Sequence, residues 1–307
     1  MANQYFGWLY GLTGSREISL NTAGIQIRPM SQAERDAIIA RSADFWVTKK
    51  DIWQNTTERF PFLYEMEGSE NAMGEALNAI AVLLNLLSDG EVQTPIHWTS
   101  SGASSSSSDI ASLFFRFINS RLKTISIDQL SDVFSFAVQK LPRQFFSTSR
   151  EAIGPVLLDR FLSTKLNPIP DNAHPGFSQQ IVARAADIGM TMEYILQDGT
   201  STEVGFRLGM SLAWLLGGDF DERSAIKKVT SDNYSLRSTR VHGSKTSWKP
   251  NEVEKNLATL NAADCLLRRL LLARLVADVD DVAWQRLFSS ARLGHLPENF
   301  DQVRWLT

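Results

Sequence analysis

Cysteine occurs once in this chain, at Cys265, so no intramolecular disulfide can brace the fold. Histidine is scarce as well, with 4 in 307 residues, and His97 beside Trp98 has no partner at metal-ligand spacing. Neither a metal nor a cofactor is expected. Long apolar runs are also missing: Ala76 to Leu87 and Leu266 to Ala277 are too short or too interrupted by Asn and Arg to cross a bilayer. Met1 to Tyr5 lacks the basic start and apolar core of a secretory signal, which makes a reducing cytoplasm the expected setting. Nor does charge of one sign dominate. A net charge of −3 excludes a chain that coats nucleic acid along its whole surface, so any such contact must come from a local basic patch.

What is present reads as ordinary globular protein, 43% hydrophobic and 21% charged, and long enough for two domains. The pattern predicts a mainly α chain, with an α+β domain over residues 1–145 containing a small antiparallel sheet and an all-α helical bundle over 146–307. In the first part, Arg16 to Leu20 and Ile25 to Arg28 alternate between turn residues and read as paired strands. Ser31-Gln32-Ala33-Glu34 fits a capping box opening a helix through about Ala40. Phe60 to Tyr64 is a further candidate strand, and Asn71 to Leu87 a buried helix. Glu65, Glu67 and Glu70 read as a solvated acidic turn ahead of it. Gln93 to Thr99 reads as extended. The serine-rich run 100–108 reads as a solvated loop, followed by helices over Ile110 to Ile118 and from a cap at Asp128 to Leu141. Trp8, Trp46, Trp53 and Trp98 fit core packing better than a stacking surface.

After Ser147 the strand signals stop. Helices are expected over Ser149 to Leu166, Phe177 to Gln197, Thr202 to about Gly217, from caps at Asp219 to Glu222 onward, over Asn251 to Ala277, and over Asp280 to Ser290. Asn167 to Gly176, with three prolines, reads as a loop. Gly205 and Gly209 fall on one face of their helix and allow another helix to approach closely, within the bundle or across a dimer. Cys265, among Leu, Ala and Arg at helical spacing, reads as a small buried thiol. Asp278, Asp280 and Asp281 fit helix capping rather than a calcium loop, because the glycine and late Glu of such a loop are missing.

The richest chemistry lies in Asp232-Asn233-Tyr234-Ser235-Leu236-Arg237-Ser238-Thr239-Arg240-Val241-His242-Gly243. Around it, residues 221–250 hold seven Lys and Arg side chains against three acidic ones, while the rest of the chain is net acidic. An Arg followed five positions later by a His is a weak signal alone, but its setting adds to it. Tyr234, Leu236, Arg237, Ser238, Val241, His242 and Gly243 match a Tyr-x-Leu-Arg-Ser-x-x-Val-His-Gly pattern. In this the second half of the chain resembles the HEPN superfamily of RNA-acting helical domains, and most closely its Apea-like branch. The resemblance extends upstream through Glu203 to Arg207 and Met192 to Leu196 to about Ile153.

The resemblance implies a metal-independent endoribonuclease that works as a homodimer with a shared cleft, in a toxin or antiviral-defence setting. Such a setting leaves room for a protein partner or antitoxin. Cutting RNA without a metal requires moving protons at the 2′-hydroxyl and the leaving oxygen and steadying charge on the phosphate. An imidazole such as that of His242 can make either proton transfer, because free imidazoles ionise near neutral pH, and Arg237 presents a planar fork to phosphate oxygens. These two are the candidate catalytic residues. Arg240, Ser238, Tyr234, Lys245 and Lys228 are candidate RNA-binding or supporting residues, with Tyr234 fitting packing better than catalysis. Much of the superfamily carries Asn, Asp or His where this chain has Ser238, which leaves room for inactive relatives. Five residues at 100° each put Arg237 and His242 about 140° apart on an ideal helix. Either Gly243 ends the helix and lets His242 turn, or a second copy completes the site. Two other readings remain: a module that binds RNA or a nucleotide without cutting it, and a dimeric scaffold or regulator.

Overall fold

The computed structural model describes residues 3–20, 25–43, 58–59, 61–68, 84–86, 92, 97–99, 104–105, 124–128, 160–161, 164, 177–196, 204–241, 248–277 and 281–292. They are mostly helical, with a small antiparallel sheet in the N-terminal part. The chain divides into two compact units, Met1–Gln139 with Phe146–Thr148 and Lys140–Phe145 with Ser149–Thr307.

In the first unit, strands β1 (Asn3–Trp8), β3 (Ile18–Leu20), β4 (Ile25–Pro29), β5 (Phe62–Gly68), β6 (His97–Thr99) and β7 (Ser104–Ser105) form one sheet in the order β3-β4-β5-β1-β6-β7. All its pairings are antiparallel, with Gly7 opposite Tyr64 and Ile27 opposite both Ile18 and Tyr64. Strand β2 (Leu12–Thr13) pairs instead, in parallel, with β8 (Ile125–Ser126). The alternation read in β4 becomes a buried face of Ile25 and Ile27 and a partly exposed one of Gln26 and Arg28. Trp8 is fully buried, with the Tyr10 ring edge-on at 5.5 Å, so this tryptophan is core. Burial pushes the Tyr10 hydroxyl up to about 12.

Helix α1 (Gln32–Ala43) opens with the expected capping box. The Glu34 amide donates to Ser31 Oγ at 3.3 Å, and the Ser31 amide donates to Glu34 Oε2 at 2.7 Å. Arg28 joins this corner to the sheet, pairing with Glu34 and Glu65 at 2.7 Å each. Burial alone would raise the Glu34 carboxyl. Hydrogen bonds from Arg28 and Ser31 outweigh it and hold the group below its ordinary value.

Two expectations change here, and Asp128 makes a contact that the spacing did not suggest. Glu65 and Glu67 stand on strand β5 rather than in a turn, and Glu65 is an ion-pair partner of Arg28. Ser104 and Ser105, inside the stretch read as a loop, pair with Trp98 and His97 as an edge strand, since backbone pairing does not depend on side-chain composition. The Asp128 carboxylate accepts from the amides of Ser15 and Arg16 at 3.1–3.2 Å. Gly14 supplies that turn with a φ of +122°, and a β-carbon there would stand 2.6 Å from Ile127 Cγ2.

In the second unit the described helices are α2 (Phe177–Leu196), α3 (Val204–Leu216), α4 (Phe220–Val241), α5 (Pro250–Ala277) and α6 (Asp281–Arg292). Their starts and stops follow the expected spans closely. Ile181, Ala185, Ile188, Met192 and Ile195 of α2 are buried, as are Leu260, Leu267, Leu270 and Leu271 of α5. Trp284 of α6 is buried, donates from Nε1 to Ile195 O at 2.8 Å, and carries the Arg274 guanidinium over its ring. Cys265 is half-buried rather than buried. Trp46, Trp53, Asp278, Asp280, the helix at 110–118, the loop at 167–176 and nearly all of the helix at 149–166 lie outside the described residues.

Candidate active site

Helix α4 carries the motif, and its start is set by local chemistry. The Glu222 amide donates to Asp219 Oδ1 at 2.8 Å, and the Gly218 amide donates to Glu222 Oε2 at 2.7 Å. The Gly218 amide lowers the Glu222 carboxyl below its ordinary value, burial opposes this, and Arg269 adds to the lowering. Ile226, Thr230, Asn233 and Leu236 form the buried face of α4. Arg237 falls at the same angle around the helix as Ile226 and Thr230, so it points inward.

Two helices meet that face. Against α2, Asn233 Nδ2 donates to Ala185 O at 3.2 Å, and the Arg237 guanidinium donates through Nη1 to Glu193 Oε1. A β-carbon on Gly189 would stand 3.5 Å from Arg237 Cδ and 3.6 Å from Asn233 Nδ2. Asn233 therefore meets Ala185 and Gly189, and Arg237 meets Gly189 and Glu193, so α2 and α4 run parallel along this seam. The Arg237 and Glu193 side chains keep 23% and 25% of their surface exposed, which leaves the pair open to a solute. The Asn233 carbonyl oxygen is buried, with no hydrogen-bond partner among the described residues.

Against α3, Tyr234 packs on Gly205, where a β-carbon would come within 2.9 Å of the ring. Gly209 lies against Lys227, and Gly217 against Arg223, so α3 and α4 run antiparallel. The close approach read from Gly205 and Gly209 thus occurs inside this unit. The Tyr234 ring also lies under the Arg237 guanidinium, 5.4 Å from its centroid. Its aromatic body is packing, as expected, and it steadies the arginine.

The other candidates are placed differently. Lys228 stands on the opposite face of α4 from Arg237 and pairs with Asp232 at 2.5 Å, so the helix does not bring it to the seam. Ser238 is half-buried next to Arg237. Arg240 belongs to the last turn of α4, its side chain outside the described residues, as are His242, Gly243 and Lys245 altogether.

Glu193 and Asn233 had no assigned role in the sequence reading. The available signal was the spacing of four that Gly189–Glu193 shares with Asn233–Arg237, which matches a small residue and an acid on α2 to an amide and a base on α4. Among the described residues no cluster of three or more His, Cys, Asp or Glu groups could hold a metal ion, and no helix is long and apolar enough to cross a membrane. Chemically the seam presents one oriented guanidinium, shared between a carboxylate and an aromatic ring, ahead of an imidazole in sequence. Comparison with protein-family models, with curated proteins and with solved structures found no match to this chain.

Proposed function

We propose that this chain is a cytoplasmic, metal-independent endoribonuclease of the HEPN type, acting as a homodimer in a toxin or antiviral-defence role. One observation carries the reading. Arg237 is held in the α2–α4 seam by Glu193 and Tyr234, four residues before the end of a helix whose sequence continues into His242-Gly243. A nuclease of this kind needs an immobilised guanidinium beside a titratable imidazole.

In the proposed reaction an imidazole of His242 takes the proton of the 2′-hydroxyl, O2′ attacks the adjacent phosphorus, and the bond to the 5′-oxygen breaks. That oxygen takes up a proton from solvent water as it leaves. The products are a 2′,3′-cyclic phosphate and a free 5′-hydroxyl. Arg237 steadies the charge that gathers on the phosphate oxygens, and its planar fork suits them better than a lysine would. Ser238, Arg240 and Lys245 add hydrogen bonds and positive charge for the strand on either side.

The test is cleavage of a labelled RNA in the presence of chelator. His242→Ala should lower the rate by about 10²–10⁴ and leave RNA binding nearly intact. Wild-type protein that cuts no RNA, or a variant that cuts at the wild-type rate, removes the enzymatic reading. The Glu193–Arg237 pair favours a second reading, in which a partly neutralised arginine binds RNA or a nucleotide without cutting it. Binding without cleavage in the same assay would select it.

A further inference from the structure

Phe206, on the first turn of α3, is 58% exposed, an unusual position for a phenylalanine on the most apolar of these helices. Lys227 of α4 reaches across to it and stands over its ring, with Nζ 5.2 Å from the centroid. The path of that side chain is built. A β-carbon at Gly209, three residues from Phe206 and on the same face of α3, would stand 3.5 Å from Lys227 Cγ. Glycine there lets the aliphatic stem lie down on α3 and delivers the ammonium to the ring. Asp232 is engaged by Lys228 and Glu222 by Arg269, and Lys227 has no carboxylate partner among the described residues.

The ring and ammonium adjoin the candidate site. Gly205, the residue before Phe206, lies against Tyr234, and Tyr234 lies under Arg237. Lys227 and Arg237 are ten residues apart on one helix, about 15 Å along its axis, a span of a few nucleotides. An exposed aromatic face beside a cation that pairs with no described carboxylate suits a base and its phosphate. Stacking on aromatic rings with cations along the backbone is how single strands are held without reading sequence. A second copy of the chain fits less well, because apposing the Lys227 ammonium groups of two copies brings like charges together. Phe220 is 80% exposed, but it sits among Asp219, Asp221 and Glu222, which repel phosphate.

We propose that Phe206 and Lys227 form a stacking subsite for one base of a single-stranded RNA, flanking the phosphate held at Arg237. The proposal rests on the ribonuclease reading and adds to it a substrate form, an unpaired strand bound across the α3–α4 surface.

The test uses the full chain and a fluorescent 2′-O-methylated octauridine, which binds without being cut, read by anisotropy as salt is varied. Phe206→Ala should weaken binding about 5- to 100-fold, and Phe206→Trp, which keeps an aromatic face, should retain it. Lys227→Ala should weaken binding and lower the steepness of the salt dependence by about 0.7. A Phe206→Ala chain that binds as tightly as wild type overturns the subsite and leaves the ribonuclease reading standing. Wild-type protein that neither binds this oligonucleotide nor cuts its unmodified form removes both. A loss of self-association in Phe206→Ala with RNA affinity unchanged assigns the ring to an interface between copies and overturns the subsite.

Discussion

Gly205→Ala gives a sharp test of how α3 seats the motif helix. The added β-carbon would stand 2.9 Å from Tyr234 Cγ and 3.0 Å from Cδ1, closer than carbon atoms pack, and those atoms belong to the base of the ring rather than a flexible tip. Overpacking of this kind costs about 1–3 kcal/mol. Alanine in place of glycine returns at most about 1 kcal/mol through helix propensity. The variant should therefore be destabilised, by about 0.5–2 kcal/mol, read as a lower urea midpoint at unchanged slope with far-ultraviolet circular dichroism. The sign should reverse in a Tyr234→Ala background. With the ring gone only the propensity gain remains, and Gly205→Ala should stabilise that chain by about 0.5–1 kcal/mol. The double-mutant cycle then yields a coupling of about 1–3 kcal/mol. A Gly205→Ala chain as stable as wild type, or an effect of the same sign and size in both backgrounds, would refute the proposed contact.

Gly189→Ala should behave in the opposite way, since its β-carbon meets Arg237 and Asn233 at 3.5–3.6 Å, ordinary contact, and the helix gains about 0.5–1 kcal/mol. A raised urea midpoint with RNA affinity unchanged is the expected result. Glu193→Gln keeps an acceptor near Arg237 but removes the opposing charge. RNA binding should tighten by a few-fold, with a loss of stability under about 1 kcal/mol for so accessible a pair; weaker RNA binding would show that the carboxylate is needed to aim the arginine. Glu34 and Glu222 are both held below the ordinary 4.5 in the folded chain. A depressed carboxyl contributes its stability fully above that value and loses it as pH falls through the folded one. Urea midpoints should drop on acidification below about 4.5, and Glu222→Gln should flatten that drop; an equally steep fall in the variant would contradict the assignment.

Much of the second unit was legible because its helices announce themselves twice, by apolar spacing and by caps. Asp219 and Glu222 fix the start of α4 through short-range bonds that depend only on neighbours in sequence. Gly205 and Gly209 could be read as a close approach, but their partners could not, since Tyr234 and Lys227 reach them only once α3 and α4 run antiparallel. The same limit hid Glu193. An acid in an apolar helix does not name the base 44 residues away that it will meet. In the first unit the alternation of Ile25 and Ile27 predicted a strand, whereas Ser104 and Ser105 carry no such pattern and join the sheet through backbone pairing. Lys228 was grouped with the motif by charge, and helical geometry separates them, because nine residues amount to a half turn beyond two full ones.

That geometry also bears on how Arg237 and His242 can cooperate. The helix holds Arg237 on the face shared with Ile226, Thr230 and Asn233 and extends through Val241. A residue one step further along the same helix would project about 140° away from the seam. An arginine turned into the seam and an imidazole belonging to the same helix are thus poorly arranged to grip one phosphate from a single chain, and the proposed homodimer removes the difficulty by taking the two groups from different copies. Subunit exchange puts this to the test. Arg237→Ala and His242→Ala chains, each inactive alone, should regain part of the wild-type cleavage when mixed under conditions that let subunits trade, because some mixed pairs carry one intact arginine and one intact imidazole across the interface. A mixture that stays inactive, while wild-type chains retain activity through the same treatment, would place both groups on one chain and require the backbone to turn after Val241.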